Sequence, residues 1–337
     1  MTTRTPLIAE QVSRSFAGNR AVNAVSLSLE PGKITSLIGQ SGSGKTTLLR
    51  LFAGMERPDQ GRILSGQDEL SGPNAHVPIE KRKIGLVFQD FALFPHLSVR
   101  ENVAFGLRHL KTPERTACAT RWIETLGLAH RIDAYPHQLS GGEQQRTAIA
   151  RALAPDPVAI LLDEPFSGLD PAMRDQVRDA ALEAIRASGI PSLLVTHDAN
   201  EALVHSDKIA IIDRGELLQT GAPSELYRTP TNEKAAKALG PVHSISRSDL
   251  PQDWQNQIDA KGDQLFYRPE ALQIAEGTGF HVRRQRLAGA VSEIELETSG
   301  SKKLFAVCQV DANLQAGDTV GVAINPALFF DFAEKTA

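Results

Sequence analysis

Ile34-Thr35-Ser36-Leu37-Ile38-Gly39-Gln40-Ser41-Gly42-Ser43-Gly44-Lys45-Thr46-Thr47 passes from an apolar, β-branched run through glycines into a helical pattern over Lys45 to Ala53. Gly39 to Thr46 matches the spacing G-x-x-x-x-G-K-[ST]. Glycines let the backbone curl until successive N–H groups point inward, and the helix that follows adds the positive end of its dipole. The stretch predicts a strand, a phosphate-cradling loop and a helix, in an α/β sheet. On this reading Gly39, Gln40, Ser41, Gly42, Ser43 and Gly44 wrap the phosphates of a nucleotide. Lys45 reaches its β- and γ-phosphates, Thr46 offers Mg²⁺ a hydroxyl, and Thr47 supports the α-phosphate.

More short β-branched runs lie outward from this stretch. Ile84 to Val87, Val158 to Leu162, Ser192 to Val195 and Ile209 to Ile212 read as buried strands of a sheet covered on both faces. Helical patterns separate them: Pro113 to Leu126, Glu143 to Leu153 and Met173 to Ala187. In the last, Met173, Val177, Ala180, Ala181, Ala184 and Ile185 trace one apolar face. Ala159-Ile160-Leu161-Leu162-Asp163-Glu164 is a strand ending in two carboxylates, which a doubly wound sheet brings beside the phosphate loop. Asp163 suits Mg²⁺, and Glu164 suits a general base for an attacking water.

The 337 residues are 41% hydrophobic and 23% charged, which excludes disorder as the main state. The net charge is −4. The first 237 residues carry 27 basic and 27 acidic side chains, and the rest carry 9 and 13, so neither part has the basic balance of a nucleic-acid binder. No apolar run approaches the roughly 18 residues that span a bilayer, and Met1 to Glu10 lacks the apolar core of a secretory signal. Cys118 and Cys308 lie far apart and suggest neither a disulfide framework nor a metal cluster. After about residue 237 the texture changes to short alternating segments, Val291 to Leu296, Leu304 to Val307 and Thr319 to Ile324, with a turn at Gly317-Asp318. These predict a small all-β unit whose strands would fit a barrel, with the boundary near Leu239-Gly240-Pro241: residues 1–237 and 238–337.

Leu139-Ser140-Gly141-Gly142-Glu143-Gln144-Gln145-Arg146 narrows the class. Here the chain resembles the ATP-binding-cassette (ABC) ATPases, whose signature is LSGGQ, with Glu143 in place of the common glutamine. The resemblance covers residues 5 to about 237. It implies a P-loop NTPase cassette with a helical subdomain, and head-to-tail dimerisation. Each ATP would lie between Gly39–Thr46 of one copy and Ser140, Gly141 and Gly142 of the other. Gln89 matches the glutamine that touches Mg²⁺ and the water, and Ser167-Gly168-Leu169-Asp170 the loop that crosses the dimer. His197 in Leu194-Val195-Thr196-His197-Asp198 matches the switch histidine that contacts the γ-phosphate. Gly168 replaces a more usual alanine or asparagine, and Phe16 stands where a tyrosine usually stacks on adenine. Lys45, Gln89, Glu164 and His197 are thus the catalytic candidates, and Thr46, Gln89 and Asp163 the Mg²⁺ candidates.

Phe91-Ala92-Leu93-Phe94-Pro95-His96-Leu97-Ser98-Val99 resembles the segment of bacterial importer ATPases that receives a helix from a membrane partner, although it would also serve to pack a helical subdomain. Tyr267-Arg268-Pro269-Glu270-Ala271-Leu272 and Asn325-Pro326-Ala327-Leu328-Phe329-Phe330 resemble the C-terminal TOBE domain, an OB-like unit, of those importers. In length and ending the tail is most similar to ferric-iron import ATPases; polyamine, thiamine, phosphonate and sulfate importers stand as alternatives. The resemblance implies a homodimeric ATPase on the cytoplasmic face of the inner membrane, bound to two permease subunits and served indirectly by a substrate-binding protein. Nothing in the chain forms an iron site of its own. A soluble ABC ATPase acting on nucleic acid or ribosomes is the rival of another class; the single cassette, without a heptad run or basic stripe, argues against it. A regulatory module using ATP only as a switch is a third reading, against which the intact catalytic letters count.

Overall fold

The computed structural model describes residues 4–73, 75–298, 300–310 and 314–332. They fall into two compact units, Met1–Pro223 and Ser224–Ala337. This division comes ahead of the Leu239-Gly240-Pro241 boundary expected from breakers alone. The buried Arg268 guanidinium donates to the carbonyls of Gly240 (3.1 Å), Pro241 (3.3 Å) and Tyr227 (3.3 Å), which ties the helical stretch before the breaker into the second unit.

In the first unit a six-stranded sheet runs in the order Glu216–Gly221, Lys208–Asp213, Ile34–Ile38, Ser192–Thr196, Ala159–Asp163, Ile84–Val87. The last five are parallel, and Glu216–Gly221 is an antiparallel edge. All five residues of Ile34–Ile38 and all five of Ser192–Thr196 are buried. Strand alternation divides them between two cores. Ile160, Leu162 and Leu194 join the helices Thr112–Thr125, Gly141–Leu153 and Pro171–Ser188 on one face. Ala159, Leu161, Leu193 and Val195 join Leu48, Leu49 and Phe52 of helix Lys45–Ala53 on the other. The continuous apolar runs thus reflect a sheet with no solvent face, the α/β fold expected.

Three outcomes differ from the sequence reading. Helix Gly141–Leu153 starts two residues early, because Ser140 caps it and Glu143 completes a capping box. Met173 is 44% exposed rather than part of the apolar face of Pro171–Ser188; Val177, Ala181, Leu182 and Ile185 carry that face. A four-stranded antiparallel sheet, Asn19–Leu29, Leu7–Phe16, Gln60–Ser65 and Asp68–Ser71 in that order, was not anticipated. Its alternation is broken by register shifts around Val12 and by left-handed residues at Gln11 and Ala24.

The second unit holds two antiparallel sheets rather than one closed barrel. One is His243–Ser246, Gln264–Tyr267, Phe329–Phe330, and the other is Lys303–Gln309, Val291–Thr298, Leu272–Ala288, Thr319–Ile324. Leu272–Ala288 is 17 residues long. Its register against Thr319–Ile324 jumps between Ala275 and Phe280, where Gly277 (φ 139°) and Gly279 (φ 133°) turn the backbone. Trp254 stacks on Phe280 with ring centroids 5.2 Å apart, inside a separate core.

Candidate active site

The sheet gathers the predicted groups by topology. Ile34–Ile38, Ser192–Thr196, Ala159–Asp163 and Ile84–Val87 are adjacent and parallel, so their carboxyl ends share one edge. Ile38 pairs with Thr196 and Asp163 with Val195, which levels the loop after Ile38 with His197 and Glu164. A cavity of about 410 Å³ opens there, lined by Ser41, Gly42, Gly44, Lys45, Thr46, Thr47, Glu164 and His197, together with Ala21.

The loop's glycines are fixed by space as well as by conformation. A Cβ at Gly39 would lie 2.2 Å from the Ile212 carbonyl oxygen, and one at Gly44 2.3 Å from that of Ala21. Gly42 (φ 78°) and Gly44 (φ 106°) are left-handed. The Ser43 hydroxyl is buried without a partner, an orphan that a bound oxygen would satisfy. Lys45 is buried and donates to the carbonyls of Gly39 (2.7 Å) and Gln40 (3.0 Å). Burial lowers its pKa, and the carboxylates of Glu164 and Asp163 oppose that shift. The cradle fits a polyphosphate.

Burial raises the Asp163 pKa, and Glu164 adds to the rise. A cation beside these two carboxylates would reverse that effect, so the donor set of Asp163 and the Thr46 hydroxyl suits Mg²⁺. Glu164 Oε2 lies 3.1 Å from His197 Nδ1. Glu164 is held at φ 45°, a left-handed conformation rare outside glycine, while its N–H donates to the Val195 carbonyl at 3.0 Å. His197 is anchored by its neighbours. Asp198 N–H donates to Thr196 Oγ1 (3.0 Å), and Asp198 Oδ1 accepts from the N–H groups of Asn200 (2.9 Å) and Glu201 (3.2 Å).

Glu201 was missed from the sequence. It is 6% exposed, and its pKa is raised by burial against hydrogen bonding from Thr196 and the charges of Arg178 and Arg174. A carboxylate four residues past a strand-end histidine was the available signal.

The remaining candidates lie elsewhere. Gln89 is exposed in the turn after Ile84–Val87 and does not line the cavity. Phe16 is 40% exposed before the Ala17-Gly18 turn, with the Arg14 guanidinium 4.8 Å from its ring centre. Ser140 and Gly141 are exposed at the N-terminus of Gly141–Leu153. Gly142 is buried where a Cβ would meet Val177 at 2.8 Å. Asp170 caps Pro171–Ser188 by accepting from Ala172 N–H at 2.8 Å. Gly168 has open space around it and no left-handed φ. In Phe91–Val99, Phe91 and Leu93 pack partly into the helical core. Asn102 fastens that loop, donating to the carbonyls of Phe94, Leu97 and Ser98 and accepting from Phe94 N–H.

Comparison with known proteins agrees with this architecture. Residues 22–167 match the ABC transporter family model and residues 266–330 that of the TOBE domain. An Fe(3+) ions import ATP-binding protein of Haemophilus influenzae is 34% identical over 95% of each chain. A sulfate/thiosulfate import ATP-binding protein of Pseudomonas putida is 36% identical over 95% of this chain and 94% of its own. The dimeric ATP-binding cassette MJ0796, solved in a post-hydrolysis state with ADP and Pi, superposes with a TM-score of 0.57 at 29% identity, covering 64% of this chain and 98% of that one. With its phosphate cradle, paired carboxylates and β-rich tail, the chain belongs to the ABC transporter family, as an ATP-binding cassette followed by a TOBE domain.

Proposed function

We propose that the chain is the ATP-hydrolysing subunit of a ferric-iron importer, working as a homodimer on the cytoplasmic face of the inner membrane. The observation that carries the hydrolytic reading is the Glu164–His197 contact at 3.1 Å beside the Lys45 cradle. Gly39 to Thr47 hold the phosphates through backbone N–H groups, with Phe16 against the adenine. Lys45 leaves its loop carbonyls for the β- and γ-phosphates. Glu164 orients and deprotonates the attacking water, and His197 faces the γ-phosphate. Thr46, Gln89 and Asp163 would hold Mg²⁺, which supplies charge neutralisation to the phosphates. Ser140, Gly141, Gly142 and Asp170 of the second copy complete each site. Phe91–Val99 receives a helix from each of two permease subunits, which take cargo from a binding protein. Residues 1–237 are the functional cassette and 238–337 the TOBE-like domain.

The iron assignment draws on the name of the Haemophilus relative; the Pseudomonas relative favours sulfate as the second reading. Replacing Glu164 with glutamine keeps the shape and removes the base. ATP turnover is expected to fall about 10²- to 10⁴-fold, with an ATP-bound dimer accumulating. Labelled ferric-iron uptake by iron-starved cells should be lost in the same variant. Wild-type turnover would remove Glu164 as the base; unchanged iron uptake with sulfate uptake lost would move the cargo to the second reading.

A further inference from the structure

Position 143 departs from the glutamine of the signature, and the structure shows what accompanies the change. Glu143 is 8% exposed in the first turn of Gly141–Leu153. Its Oε2 accepts from the Ser140 N–H (2.8 Å) and the Ser140 hydroxyl (3.0 Å). Its Oε1 accepts from Arg131 Nε (2.9 Å) and lies 3.2 Å from His130 Nε2. Each carboxylate oxygen therefore has its own donors. A glutamine offers one acceptor oxygen, and its NH₂ would turn a donor toward either Ser140 or Arg131. Burial alone would raise the Glu143 pKa, but hydrogen bonds from Ser140, Arg131 and His130 outweigh it and hold the carboxyl down to about 2. The group is an anion at any working pH.

A fixed anion in the first turn suits the helix dipole but opposes a second anion arriving at the same N-terminus. We infer that Arg131 is a charge-compensating, positioning residue for Ser140–Gly142, needed because position 143 carries a carboxylate. Arg131 turns Glu143 into the inner half of an ion pair. The helix end then stays receptive to phosphate, and the carboxylate still holds the Ser140 cap. This rests on the proposal that Ser140–Gly142 faces the phosphates bound by a second copy. Arg131 itself touches no substrate.

The test reads ATP-driven dimerisation of the full-length chain by light scattering, with Glu164→Gln present throughout so that the dimer persists. Arg131→Gln should raise the ATP concentration for half-maximal dimer about three- to tenfold. Arg131→Lys, which keeps the charge, should recover most of that loss. In a Glu143→Gln background, Arg131→Gln should change the midpoint less than about twofold, since no carboxylate is left to neutralise. Thermal melts of each variant separate lost folding from lost affinity. An equal shift in both backgrounds, or none in either, overturns the compensation. A chain that forms no ATP-dependent dimer in any variant overturns the underlying placement of Ser140–Gly142 and the inference with it. A dimer that persists when Ser140→Arg blocks the loop does the same.

Discussion

Two glycines of the phosphate loop and one of the Ser167–Asp170 segment stand at opposite ends of a scale. Gly39 and Gly44 sit against carbonyl oxygens that leave no room for a methyl group, and Gly44 is left-handed as well. Gly168 has neither constraint. Gly168→Ala is therefore expected to stabilise the cassette by about 0.4–1 kcal/mol, through the narrower unfolded ensemble that alanine allows. Urea denaturation measures it; a loss of stability would mean that this segment is tighter than its surroundings suggest. Glu164 is the opposite case, a bulky residue kept where glycine would be at ease, at a cost of about 1–3 kcal/mol. The loop, Asp163, Glu164 and His197 were all legible, because each lies within a motif or ends an apolar run. The cap at Ser140 was legible only in part: the serine-to-glutamate spacing was visible, but Arg131 lies outside it and reaches Glu143 only in the fold.

Among elements, helix Lys45–Ala53 shows how a site is held from behind. Its C-terminus meets the buried Arg82 guanidinium, which donates to the carbonyls of Leu51 (3.3 Å), Phe52 (3.2 Å), Leu70 (3.0 Å) and Val77 (2.8 Å). Gly54 makes this possible, since a Cβ there would lie 2.3 Å from Arg82 Nε. A positive charge at a helix C-terminus is favourable, and here it also ties the antiparallel strand Asp68–Ser71 to the helix that carries Lys45. Arg82→Met would take this donor from the Phe52 and Val77 carbonyls and empty the guanidinium's buried place, while Leu51 and Leu70 keep the backbone N–H groups of Gly54 and Val77. The expected loss is about 3 kcal/mol or more, read as a lower urea midpoint with the slope unchanged. A loss under about 1 kcal/mol would show that water replaces the guanidinium. None of this was readable in advance: Arg82 stands in a charged run, Glu80-Lys81-Arg82-Lys83, that looks solvent-facing. The parallel strands were readable to within a residue or two, because burial on both faces leaves one apolar run per strand. The antiparallel strands Leu7–Phe16, Asn19–Leu29 and Gln60–Ser65 were not, because their bulges break the alternation that would reveal them. The alternating strands of the second unit, Val291–Thr298, Lys303–Gln309 and Thr319–Ile324, were readable to within two residues.

For the whole molecule, the second unit has its own core of Trp254, Leu265, Tyr267, Leu296 and Leu304. Residues 224–337 made alone should therefore unfold in a single cooperative transition; a featureless melt would make their fold dependent on the cassette. His243 supplies a pH signature for that melt. Its ring stacks on Phe305 with centroids 4.2 Å apart, and burial lowers its pKa below 6.5, partly opposed by Glu293. The unfolded chain then binds more protons as pH falls below about 6.5. Stability is complete above that value and declines as pH drops through the folded-state pKa. His243→Phe keeps the stack and should flatten the decline in melting temperature; an unaltered decline would assign it to other groups. The strand order carries one further consequence, for the chain as it is made. Ser192–Thr196 lies between Ile34–Ile38 and Ala159–Asp163, yet it is synthesised after both. At about 5–20 residues per second, a ribosome completes the acidic strand a few seconds before the strand that joins it to the phosphate loop. Through that interval the growing chain has the phosphate-loop strand and the acidic strand but not the one strand that pairs with both, so the edge that gathers the loop, Glu164 and His197 closes last.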